Sequence, residues 1–205
     1  MTKSLSSDLT AKIIDFNIAG YNSARHELVE RIKARDIAVR NYIAITLTIC
    51  SAFAILQQFE IPQPYVNDIV YTIISLFGFG MSKTVSNHQV KIATIGYFID
   101  CELVPELNKL NSSIPALDWE SSKTNKETSR IPRRLHSAYY YIIFLTPQVG
   151  AILLNITKCI YNDHESANLH VFTLVALVLF TFSTCIILHY GNAKRAEYNR
   201  KRGHQ

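Results

Sequence analysis

Four blocks of almost uninterrupted apolar residues, 42–59, 65–81, 138–161 and 169–190, decide what this chain can fold into. A helix needs roughly 17–25 mostly apolar residues to cross a hydrocarbon core about 30 Å thick. Every block meets that length, the second at the short limit and with Gly78 and Gly80 inside it. Averages conceal the pattern. A mean hydropathy of +0.09 would suit a soluble protein, but here the charges are gathered between the blocks. Buried helical hairpins in a soluble fold would leave a 205-residue chain too little polar surface to cover four such blocks. Pro147 falls inside the third block. A soluble helix would tolerate it badly, whereas in a membrane neighbouring groups can satisfy the freed carbonyl. The expected fold is all-α, a four-transmembrane-helix polytopic membrane protein with cytoplasmic helical extensions. Its segments are a cytoplasmic amphipathic helix (1–41), a first transmembrane hairpin (42–81), a cytoplasmic helix and loop (82–137), a second transmembrane hairpin (138–190) and a basic cytoplasmic tail (191–205).

Charge sets the expected orientation. Of the 21 Lys and Arg residues, all but Lys158 precede the first block, lie between the second and third, or follow the fourth. The connections at 60–64 and 162–168 carry none, and the latter holds Asp163 and Glu165. Basic flanks are retained in the cytoplasm during insertion, so both termini are expected there, in a plasma (inner) membrane. No cleavable signal is visible, and the first block is expected to act as its own insertion signal. Tyr42, Tyr65, Tyr139–Tyr141, Tyr161 and Tyr190 sit near block ends, where amphipathic rings prefer the headgroup layer. Lys158 can snorkel outward toward Asp163 or Glu165.

The polar segments also carry helical periodicity. Tyr21, Ala24, Leu28 and Ile32 form an apolar stripe, and Glu27–Arg31 and Asp36–Arg40 are acid-before-base pairs at i,i+4. This helix is expected to run straight into the first span. Arg25, Arg31, Arg35, Arg133 and Arg134 are candidates for facing anionic lipid or a partner. Ile92, Ile95, Ile99, Leu103, Leu107 and Leu110 share another face, which needs cover, and packing on the N-terminal helix would provide it. Pro105 predicts an interruption near Val104. The stretch 111–134 reads as a loop in which Trp119, flanked by Asp118 and Glu120, is expected to dock on the helical part.

Catalytic patterns are missing: there is no Walker loop, GxSxG, HExxH or GxGxxG. Asp163, His164 and Glu165 are adjacent, and three consecutive residues cannot converge on one ion from a helix. Arg130 and His136 have the R-x5-H spacing of HEPN-type ribonucleases, but Pro132 and two further arginines interrupt the helix such a site needs. Cys50, Cys101, Cys159 and Cys185 form no CxxC, so neither a disulfide framework nor a zinc site is indicated. Sequons at Asn111 and Asn155 fall in the cytoplasm and in a span. No enzyme activity, cofactor, metal or direct nucleic-acid contact is expected.

Polar residues within the spans are more informative. Gln148 and Asn155 share a face of the third span, with Thr146 and Thr157 nearby. Thr46, Thr48, Ser51, Gln57 and Gln58 lie in the first span, and Thr173, Thr181, Ser183 and Thr184 in the fourth. Such groups must find partners in hydrocarbon, as interhelical glue or as the lining of an oligomeric pore. Pro147 and Gly150 would supply a flexible point. No acid is expected to be buried in a span, which argues against proton coupling.

The helix bearing Tyr21-Asn-Ser-Ala-Arg25-His-Glu27-Leu28, the hairpin that follows, the segment Tyr97-Phe-Ile-Asp-Cys-Glu102 and the pair Trp119-Glu120 together resemble small bacterial membrane proteins of the SLATT type and the accessory membrane proteins beside CRISPR–Cas13 systems. The resemblance covers roughly residues 15–120. Those proteins typically have two spans, and the second pair here is additional. It implies a homo-oligomeric inner-membrane effector in anti-phage defence, one that perturbs or perforates the bilayer. The alternative expectation is a membrane anchor that recruits a soluble cytoplasmic partner and conducts nothing.

Overall fold

The computed structural model describes residues 2–58, 64–110, 133–161 and 167–203, and every one of them is helical. Asn111, Trp119, Arg130 and the run Asp163-His164-Glu165 lie outside the described residues. The elements are α1 (Thr2–Gln58), α2 (Pro64–Phe98), a π turn (Ile99–Leu103), α3 (Val104–Leu110), α4 (Arg133–Tyr161) and α5 (Ala167–Gly203). The four long helices are each long and apolar enough to cross a membrane.

Helix α1 has 57 residues and, at 1.5 Å per residue, is about 85 Å long, far more than a bilayer's hydrocarbon thickness. Its N-terminal part therefore continues beyond any span it makes, as the sequence leads one to expect. Arg31 pairs with Glu27 at 3.2 Å. Asp36, expected to pair with Arg40, is instead held at 2.8 Å by its neighbour Arg35, whose guanidinium is largely buried. Residues Tyr21, Ala24, Leu28 and Ile32 are half-buried, the face α1 turns inward.

The interruption expected near Val104 takes the form of the π turn. Pro105 has no N–H to give and its ring crowds the carbonyl one turn back. The backbone widens by one residue, so that the Val104 N–H meets the Ile99 carbonyl, and helix then resumes as α3. This keeps Ile99 and Leu107 buried while α3 and the π turn pack on α1.

Helix α2 is central, touching α1, α4 and α5. Its partners along α5 are Asp68 with His170, Phe79 with Phe180, Ser86 with Ile187, and Tyr97 with Tyr198. That near-constant offset makes α2 and α5 parallel and in register for about 44 Å. Helix α4 runs antiparallel to both, since Asn155 meets Asp68 and Gln148 meets Thr184. The buried α2 positions 68, 71, 75, 78, 82, 85 and 89 repeat at alternating three- and four-residue steps, as in left-handed helical packing. The stretch 191–203, within the segment read from sequence as a basic tail, is helical and continues α5 beside α2.

One apolar cluster joins Ala38, Val39, Tyr42, Val85, Tyr140, Phe144 and Leu188; a second joins Tyr71, Ala151 and Leu177. Phe172, Phe182, Ile142 and Leu179 point outward, as lipid-facing residues must. The ends of the bundle are distinct. The hairpin end is where α2 and α5 begin, and the basic end carries α3 and the two chain termini.

Candidate functional site

The inward face of α2 is polar and small where a water-soluble core would be apolar. Asp68, Ser75, Ser82, Ser86 and Gln89 are all buried there, and Gly78 lies between them. Asp68 and Gln89 are 21 residues apart, about 31 Å along the helix. That is the thickness of a hydrocarbon core.

At the hairpin end, Asp68 is clamped by two other helices. Its Oδ2 lies 2.7 Å from His170 Nδ1 on α5, with side chains 4% and 2% exposed. Its Oδ1 accepts a hydrogen bond of 3.3 Å from Asn155 Nδ2 on α4. The sequence led us to expect no buried acid in a span; Asp68 corrects this. It stands four residues inside the second block, next to Asn67, and the helical repeat turns it inward while Ile69 and Ile73 face outward. Tyr71 lies on the same face, and Thr173 is buried on α5 one turn beyond His170.

Midway along, Gln148 donates from Nε2 to Thr184 Oγ1 at 3.2 Å, and Thr184 in turn donates to the Phe180 carbonyl at 2.9 Å. Gly78 makes room for this. A Cβ there would lie 2.6 Å from Gln148 Nε2 and 3.1 Å from the Tyr42 hydroxyl, so both side chains converge on the glycine. Tyr42 and Thr46 sit one turn apart on α1, both buried. At the basic end, Ser86 donates to the Ile187 carbonyl at 3.0 Å, and a Cβ on Gly191 would collide with the Ser86 hydroxyl. Gln89 lies beyond it, near Tyr140.

Of the residues singled out from sequence, Gln148 and Asn155 are fully buried inside the subunit, bonded to α5 and α2. Thr146 and Thr157 are exposed on other faces of α4, and Thr157 donates to the Leu154 carbonyl at 2.8 Å. Pro147 and Gly150 lie within the continuous helix α4. Arg25 caps over the Tyr21 hydroxyl at 3.2 Å, while Arg31 and Arg35 hold their carboxylates. Arg133 and Arg134 open α4, and their side chains lie outside the described residues. Cys50, Cys101 and Cys185 are free thiols. Burial raises the Cys101 thiol above its usual value.

The basic end has its own electrostatics. His88 is held below the ordinary histidine range by burial first, and then by Arg31, Lys91 and Arg35. Glu197 is held down to about 2 by hydrogen bonds from Lys194 and Lys201. Asp68, Ser75 and His170 were missed from sequence, and Gly78 was noted only as a glycine in the second block. For Asp68, Ser75 and Gly78 the available signal was their three- and four-residue spacing on one face of α2, hidden because that face is the polar one. No protein family, curated protein or solved structure matches the chain.

Proposed function

We propose that this chain is a homo-oligomeric effector of the inner membrane that makes the bilayer permeable, with the basic end in the cytoplasm. Copies meet through the extension of α1. The observation that carries the reading is apolar exposure where lipid cannot reach. Phe16 is 79% exposed, about 39 Å along α1 from Tyr42, and Ile13, Ile18 and Val29 are exposed on the same extension. Large apolar side chains in water call for a partner surface, and a second copy offers the same residues in return. The uneven distribution of Lys and Arg supports the orientation. The SLATT-like arrangement of α1, α2 and the segment after them supports a role in anti-phage defence.

A second reading has its own support. Gln148 and Asn155 are sealed within the subunit, which suits an anchor that recruits a soluble cytoplasmic protein and passes nothing. One experiment separates the two. In a chain freed of its native cysteines, Phe16→Cys should give oxidant-dependent dimers in the membrane, and expressing cells should depolarise. Phe16→Asp should lower the depolarisation, and in a cysteine-free Val29→Cys chain it should lower cross-linking as well. Monomers in fully polarised cells, with a soluble protein copurifying, would leave the anchor reading standing alone.

A further inference from the structure

Hydrocarbon is a poor place for an unmatched polar atom, and the interior of this bundle holds several. Among the described residues, Ser75 Oγ and Gln148 Oε1 are buried without a hydrogen bond to protein, while Tyr42 with Thr46, and Gln89 with Tyr140, have only each other for part of their hydrogen-bonding capacity. Each would cost on the order of 1–3 kcal/mol if it stayed unmatched. Interhelical glue does not explain them, because glue is satisfied by definition. Groups of this kind recruit internal water, which needs two to four polar partners, and the column along α2 supplies them at successive turns.

Their order along the bundle matters. Asp68 and His170, a carboxylate and an imidazole 2.7 Å apart, close the hairpin end. Ser75 follows about 10 Å further along α2, then Gln148, Thr184 and Tyr42 around Gly78, then Ser82, Ser86 and Gln89. Phe144 and Leu177 are fully buried beside this column, so the interior offers no lumen for a hydrated ion. A proton needs none. It passes along hydrogen-bonded hydroxyls and water by exchange, and a buried carboxylate–histidine pair is the kind of group that loads such a chain.

We infer that each subunit conducts protons through its own interior, from the Asp68–His170 pair to Gln89, without a partner protein. The Asp68–His170 pair takes up a proton on its hairpin side and gives one up on its Ser75 side, so the pair holds the same number of protons after each transfer. The proton given up passes to the water held at Ser75, and one leaves at the Gln89 end for each that enters, so no net charge accumulates. This deepens the permeability reading above and rests on it, naming the proton as the permeant species and the subunit interior as the route.

The test uses the full chain in liposomes loaded with a pH-sensitive dye, with a potassium gradient and valinomycin to drive protons. The wild type should acidify the lumen faster than empty vesicles. Asp68→Asn and Ser75→Ala should each slow it by about tenfold or more, the size expected when one relay group adds about 1.4 kcal/mol to a barrier. Asp68→Glu should restore part of the rate, and Phe172→Leu on the lipid face should leave it unchanged. Ser75→Ala removes the hydroxyl without adding bulk at this fully buried position, so it remains informative if Asp68→Asn fails to fold. Leakage of the dye, or of potassium measured without valinomycin, that ignores both substitutions would sink the proton route and leave the permeability reading intact. Absence of any flux would overturn both.

Discussion

Asp68 and His170 place a carboxylate and an imidazole where neither is tolerated alone. The imidazole faces one carboxylate oxygen, and Asn155 takes one of the lone pairs on the other. Losing one member therefore differs from losing both. Removing either leaves an uncompensated polar or charged group in a low dielectric, at a cost of about 3–5 kcal/mol, whereas replacing both by apolar residues of similar volume is near neutral. His170→Leu should lower the thermal unfolding midpoint in detergent sharply, and so should Asp68→Leu. The double variant should recover most of the loss. Additive losses in the double variant would mean that the two side chains do not act as a pair. The same substitutions separate stability from conduction: the double variant is expected to be stable and to pass no protons.

At the scale of elements, much was readable in advance and the reasons for the rest are specific. Block length gave the four long helices, and Pro105 gave the interruption that becomes the π turn. The stripe from Ile92 to Leu107 announced the packing of α3 on α1. The polar face of α2 was not legible, because the reading followed apolar residues and in a bundle surrounded by lipid these point outward. Periodicity of the polar and small residues is the useful signal there. The helical form of the end of α5 was not legible for a related reason: Lys194, Arg195, Arg200, Lys201 and Arg202 dominate its pattern, while Gly191 and Tyr198 keep to the α2-facing side. Glu197 ties this segment to itself through Lys194 at 2.9 Å and Lys201 at 3.0 Å. Its folded value near 2 lies below the ordinary carboxylate value of 4.5, so the support it gives is present above that value and lost as pH falls toward about 2. Amide exchange over 191–203 should show Glu197→Gln less protected than wild type at neutral pH, most clearly at low salt, and indistinguishable from it near pH 2. A difference that persisted in acid would place the effect in something other than the carboxylate.

For the whole molecule, the two ends of the bundle differ in charge, and charge is what the insertion machinery reads. The basic end gathers Lys83, Lys91, Lys109 and the arginines at both ends of the chain; the connections at the hairpin end carry none. On the proposed orientation, Asp68 and His170 would lie toward the outer face and Gln89 toward the cytoplasm. Labelling checks it directly. In a cysteine-free chain, Ile160→Cys, exposed near the hairpin end of α4, should react with a membrane-impermeant maleimide added to intact cells. Thr94→Cys, exposed on α2 toward the basic end, should react only after the cells are opened. The reverse pattern would invert the molecule, and the proton-loading pair would then face the cytoplasm, with the direction of the leak still set by the proton gradient. Labelling of both sites in intact cells would mean that the helices do not cross the bilayer, and the polar column would then be no more than the interior of a surface-bound bundle.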